Sequence, residues 1–107
     1  MTFGISKPSF ELIISTLSKY PQIEEAILFG SRAKGNYKPG SDIDIAIKGK
    51  ACSNDLALTI SAELNEKTPI PYFFDVLHYE SLQNPELKEH IDRVGKVLYK
   101  RETASTI

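Results

Sequence analysis

An α/β domain, a small mixed sheet packed by helices, is the fold class this sequence predicts. Three observations predict it. Apolar residues recur at helical spacing near both ends of the chain, at 10–17 and at 87–94. Residues 42–47 alternate strictly between two faces, the period of a strand. Helical and extended patterns then follow one another in the order αβ(α)βαβα(β) instead of segregating into halves. The 107 residues read as a single domain, 1–107, since domains cluster near about 100–150 residues.

Each element has its own warrant. Phe10, Ile13, Ile14 and Leu17 fall at i, i+3, i+4 and i+7, which gives a first helix one apolar face; Pro8 suits its first turn and Pro21 ends it. The apolar run at 26–29 reads as a buried strand. Residues 30–41 hold Gly30, Gly35, Pro39 and Gly40 and read as loop, with a short helical turn at 32–34. In the strand at 42–47, Ile43, Ile45 and Ile47 face one side, and Asp42, Asp44 and Ala46 face the other. Residues 55–67 carry both periods. Their length, their Ala, Leu and Glu content and the set Leu56, Ile60, Leu64 select a helix. Pro69 and Pro71 bracket a turn into an aromatic and aliphatic strand at 72–77, whose Tyr72, Phe73 and Phe74 read as core. Asn84 then caps a helix with Pro85 at its first position, Leu87, Ile91 and Val94 form its stripe, and Gly95 closes it. Residues 96–99 extend into a last strand, and 101–107 form a polar tail expected to fray.

Composition excludes several classes. Lys and Arg number 13 against 14 Asp and Glu, a net charge of -1, so the basic excess of a general nucleic-acid binder is missing. A lone cysteine, Cys52, excludes an internal disulfide and fits a reducing cytoplasm. It has no flanking base or cationic helix start and reads as a small apolar residue. No apolar run nears the roughly 18 residues of a membrane span. The first ten residues lack the basic-then-apolar order of a signal peptide. A cytoplasmic domain without membrane contact is expected.

Three acids and one loop carry the chemistry. Asp42 and Asp44 share a strand face with alpha carbons about 6–7 Å apart, where two free carboxylates repel each other. A hard divalent cation with phosphate oxygens relieves that repulsion, and magnesium favours this ligand set. Taken alone, such a pair more often marks a strand entry and a solvated face. Asp75 stands inside an apolar strand, where an aspartate needs a partner, or else the strand is an edge with Asp75 facing water. If that strand neighbours the one at 42–47, Asp75 joins the other two. The loop offers Gly30 and Gly35 for close backbone approach, the Ser31 hydroxyl, and positive charge from Arg32, Lys34 and Lys38. Glycine-rich turns at the end of a buried strand cradle phosphates, although such a loop alone is more often plain surface. His78 and His90 fall in no metal-ligand spacing and read as structural. Tyr37 reads as exposed, with contact to a nucleotide base as its alternative.

Jointly, Gly30-Ser31, ten intervening residues and Asp42-Ile43-Asp44 form the pattern Gly-Ser-x10-Asp-x-Asp. Its chance appearance in a chain this long is on the order of one in a thousand at average usage. The pattern resembles that of the DNA polymerase β-like nucleotidyltransferase superfamily. The text from Leu28 through Gly35, followed by Gly40-Ser41-Asp42-Ile43-Asp44-Ile45-Ala46, resembles its minimal nucleotidyltransferase (MNT) branch. The resemblance extends through Asp75 to the closing residues 95–99.

The resemblance implies a nucleotidyltransferase fold and a division of labour. Gly30 and Ser31 would hold the β- and γ-phosphates of ATP, with Arg32 and Lys34 as secondary phosphate contacts. Asp42, Asp44 and Asp75 would bind two magnesium ions, and Asp75 would serve as general base. Larger members of the superfamily carry a further domain that grips the acceptor, whereas only a polar tail follows Lys100 here. Another chain is therefore expected to hold the acceptor. MNT proteins of this size resemble antitoxins that transfer AMP from ATP to a tyrosine of a helical HEPN toxin, and a hetero-oligomer with such a partner is the expectation. A non-catalytic nucleotide-binding module that neutralises its partner by binding alone is the alternative. A metal-dependent glycosyltransferase, which also uses Asp-x-Asp, lacks the Gly-Ser half at this spacing.

Overall fold

A computed structural model describes residues 3–101. Helix α1 (Lys7–Ser18) starts at Ser6, whose hydroxyl accepts the Ser9 N–H at 3.3 Å. Strand β1 (Glu25–Phe29) runs directly into α2 (Gly30–Lys34), so the short helical turn begins at the strand's end, two residues earlier than the expected 32–34. Strand β2 (Ile43–Lys48) follows. Helix α3 (Asn54–Glu66) is capped by Ser53, and its helical period prevails over the alternating one. Strand β3 (Phe74–His78) leads through a single 3-10 turn, Tyr79–Ser81, to α4 (Pro85–Val94) and β4 (Lys96–Lys100).

The four strands make one mixed sheet in the order β3-β2-β1-β4. β1 is antiparallel to β2 and to β4, while β2 and β3 are parallel. Parallel neighbours need a long crossover, and α3 supplies it. Both faces of the central strands are covered. Ile43, Ile45 and Ile47 of β2, with Ala26 and Leu28 of β1, pack with Ile13 and Leu17 of α1 and Ile60 and Leu64 of α3. Ile27, Phe29 and Ala46 pack with Ile91 of α4 on the opposite face. This two-sided burial explains why 26–29 is continuously apolar. Strand parity sets Asp44 beside Ala46 on the α4 face, and Asp75 beside Leu77 on that same face.

Four expectations change in detail. β3 begins at Phe74 instead of residue 72. Pro71 has no N–H to give a ladder, and the Tyr72 ring turns to lie 4.5 Å from the Arg32 guanidinium carbon. Phe73 is 59% exposed and not core, while Phe74 is fully buried. Gly95 ends α4 with φ -62, so no left-handed cap requires it; a Cβ there would meet the Ile91 carbonyl oxygen at 2.4 Å and Ile27 Cγ2 at 2.5 Å. Finally, Arg101 is not frayed: its N–H donates to Glu24 O at 2.9 Å, and its guanidinium donates to the carbonyls of Ser18, Tyr20 and Ile23. The rest of the expected tail, 102–107, lies outside the described residues. Among the described residues no helix is long and apolar enough to cross a membrane.

Candidate active site

The site lies where β1 ends, β2 begins and β3 runs alongside. Asp44 pairs in register with Phe29 of β1 on one side and with Asp75 of β3 on the other. Directly opposed residues of neighbouring strands point to the same face, which brings the two carboxylates together. Asp75 is thus both water-facing on an edge strand and a neighbour of Asp44. Asp42 stands exposed just ahead of β2. Half-burial first, then the charges of Asp75 and Asp42, raise the Asp44 carboxyl from 3.8 to about 6.

Gly30 closes the other side. Its φ is +76, and a Cβ built on it would fall 2.4 Å from Asp44 Oδ2. Only glycine allows the chain to turn there and lets the carboxylate lie against the backbone. The Gly30 N–H donates to His90 Nε2 at 3.2 Å, and the His90 ring sits edge-on to Phe29. Sequence offers no signal for this contact, because the two residues lie 60 positions apart and belong to different elements. Ser31 is half-buried in the first turn of α2, and Lys34 and Lys38 are exposed on the same loop.

Arg32, expected as a secondary phosphate contact, is held inside the fold. It is 2% exposed, and its guanidinium is committed to carbonyl oxygens: Ser41 O at 3.1 and 2.8 Å, and Phe3 O at 2.9 Å. The rings of Tyr37 and Tyr72 flank it at 5.2 and 4.5 Å. In this arrangement Arg32 pins the loop before β2, and its guanidinium is turned to the Ser41 and Phe3 carbonyls. Its buried head is unpaired with any acid among the described residues, so carbonyls and aromatic faces carry its desolvation. Tyr37 is spoken for in the same cluster. Cys52 is buried as expected, donates to Gln22 O at 3.4 Å, and is held at about 11 by burial and by Glu80 and Glu24. No chemistry attaches to it.

The donor chemistry of the corner fits a divalent cation. Asp44 ionises reluctantly because it is half-buried and then because Asp75 and Asp42 repel its charge, and carboxylates with phosphate oxygens are magnesium's ligands. Among the described residues no three acid, imidazole or thiol groups are gathered closely enough to hold a metal ion by themselves.

A mixed sheet with a Gly-Ser turn at the end of one central strand and Asp-x-Asp entering the next is the nucleotidyltransferase fold. Residues 11–104 match the family described as Polymerase beta, Nucleotidyltransferase, and the chain belongs to that family. No curated protein matches the sequence. Solved structures do. A chain of a toxin–antitoxin complex with AMP-PNP is 24% identical, with a TM-score of 0.70 over 87% of this chain and 74% of that one. A chain from the complex of tri-AMPylated Shewanella oneidensis HEPN toxin with MNT antitoxin is 22% identical, with a TM-score of 0.66 over 89% and 72%. A protein described as a nucleotidyltransferase from Sulfolobus solfataricus is 24% identical, with a TM-score of 0.55 over 89% and 79%. These likenesses establish the fold.

Proposed function

We propose that this protein is a magnesium-dependent nucleotidyltransferase of the cytoplasm that moves AMP from ATP to a tyrosine hydroxyl of a HEPN-type helical partner, as the antitoxin of that partner. The observation that carries the reading is the corner itself: Asp44 and Asp75 opposed across β2 and β3, with Gly30 against Asp44 Oδ2. The similar structures described as toxin–antitoxin complexes, one with AMP-PNP and one with an AMPylated HEPN toxin, support the nucleotide and the partner.

In this reading the Gly30-Ser31 turn holds the β- and γ-phosphates, Ser31 offering its hydroxyl and N–H and Gly30 the close backbone approach, and Asp42, Asp44 and Asp75 would hold two magnesium ions. Bound there, the metal supplies Lewis-acid polarisation of the α-phosphate and neutralises charge on the departing pyrophosphate. Asp75, the most open of the strand-borne acids, takes the proton of the attacking hydroxyl. The hydroxyl oxygen bonds to the α-phosphorus, the bond to the bridging oxygen of the β-phosphate breaks, and pyrophosphate leaves. The partner holds its hydroxyl in line, an orientation worth several kcal/mol of the barrier. The attached AMP brings negative charge to the toxin, which repels RNA phosphates.

Incubation with a HEPN-type partner, magnesium and ATP labelled at the α-phosphate tests this. Label on the partner, with a mass gain of one AMP per modified tyrosine, is the expected result. Tight complex formation without covalent label under any nucleotide overturns the enzyme and leaves neutralisation by binding.

A further inference from the structure

Helix α4 reaches the phosphate-binding corner with one side chain. Ile91 is buried with Ile27, Phe29 and Ala46, and Gly95 at the helix's end leaves no room for a Cβ beside Ile27 Cγ2, so the helix packs closely on β1. His90, beside Ile91, is set by that packing. Its ring stands edge-on to Phe29, with centroids 6.2 Å apart and planes at 83°. Its Nε2 lies 3.2 Å from the Gly30 nitrogen.

Gly30 needs that acceptor. The β1–β2 ladder ends at Phe29 and Asp44, and as the first residue of α2 Gly30 has no acceptor inside the helix. A half-buried N–H without a partner is costly, and the corner would turn to find one. On its other side the Asp44 carboxylate lies against the Gly30 alpha carbon. The Gly30 peptide is thereby fixed between a carboxylate of β2 and an imidazole of α4. An accepting Nε2 places the proton on Nδ1, so the imidazole is neutral in this arrangement.

We propose that His90 is a positioning residue for nucleotide binding: its neutral Nε2 holds the Gly30 amide so that the Gly30-Ser31 corner is preset for the phosphates. This rests on the nucleotide reading of the corner given above. α4, read from sequence as packing alone, then has a second role as the brace of the phosphate loop. Preorganising a loop in its bound shape raises affinity without adding a contact.

Two variants and one measurement on the unaltered protein test the proposal. His90→Leu keeps the bulk and removes the acceptor, while His90→Gln restores an acceptor oxygen. Calorimetric binding of AMP-PNP with magnesium should weaken on the order of tenfold in His90→Leu, and His90→Gln should recover most of it. In transfer assays the loss should appear in KM for ATP more than in kcat. In the unaltered chain, NMR should show a scalar coupling across the hydrogen bond between the Gly30 nitrogen and His90 Nε2. Unchanged or tighter binding in His90→Leu overturns the proposal, the latter because it would make His90 a competitor of the phosphate. So does a His90→Gln variant no better than His90→Leu, or absence of the coupling. If the unaltered protein binds no nucleotide, the functional reading falls together with this one. If it binds and His90→Leu binds equally, only the role of His90 falls.

Discussion

Asp44 pays electrostatically for its place. Half-burial and then two acidic neighbours hold its carboxyl at about 6, above the ordinary 3.8. A carboxyl whose folded value is raised binds its proton more tightly in the folded state. Its contribution to the stability of the metal-free protein is therefore fully present below about pH 4 and is lost as pH rises through about 6. Asp44→Asn removes that dependence. Thermal melts across this window without divalent cation should show the variant gaining on the parent toward higher pH; parallel curves would contradict the clustered acids. Arg32 makes the converse case. Arg32→Lys cannot reproduce three bonds to the Ser41 and Phe3 carbonyls, and should cost about 2 kcal/mol or more in urea unfolding. A variant that keeps its stability and loses only nucleotide affinity would restore Arg32 to the phosphates. The Gly-Ser and Asp-x-Asp pairs are legible in sequence because their spacing is local. The burial of Arg32 is not, because its partners come from Phe3, Ser41 and Tyr72, on three different segments.

Elements were legible wherever a period or a cap marks them. Asn84 caps α4 in the expected manner and the alternating isoleucines place β2, while the Ser6 and Ser53 caps of α1 and α3 emerge only in the structure. Ends set by tertiary contacts escaped. β3 starts late because Tyr72 leaves to cover Arg32. The Asn65 side chain then occupies the edge, accepting the Phe74 N–H at 2.8 Å and donating to its carbonyl at 3.1 Å. Gly95 is glycine for lack of space and not for a left-handed turn. Gly95→Ala should therefore cost about 1–3 kcal/mol by forcing α4 off Ile27. Calorimetric unfolding checks this, and a loss of only a few tenths would mean the helix end tolerates a methyl. The same variant should weaken AMP-PNP binding, since α4 carries His90 to Gly30.

At the scale of the molecule, function follows from strand order. Asp75 is separated from Asp44 by the whole of α3, and only the parallel β2–β3 pairing makes them neighbours. Periodicity names the strands but not their order, so the pair was legible from sequence only as a condition on that order. The two cores divide the labour. One binds α1 and α3 to the sheet, and the smaller one fixes α4 behind the corner. Arg101 ties the end of β4 back to the carbonyls of Ser18, Tyr20 and Ile23, and Arg101→Ala should lower the melting temperature by several degrees, about 1 kcal/mol.

The central claim is that the three acids and the Gly30-Ser31 turn form one site shared by metal and triphosphate. Titration of AMP-PNP by calorimetry, with and without magnesium, in the parent and in Asp44→Asn, tests it most directly. Shared ligands predict that magnesium tightens nucleotide binding strongly in the parent and that Asp44→Asn abolishes the enhancement while keeping the fold. Strictly independent binding of the two ligands, or the same enhancement in Asp44→Asn, would contradict the account.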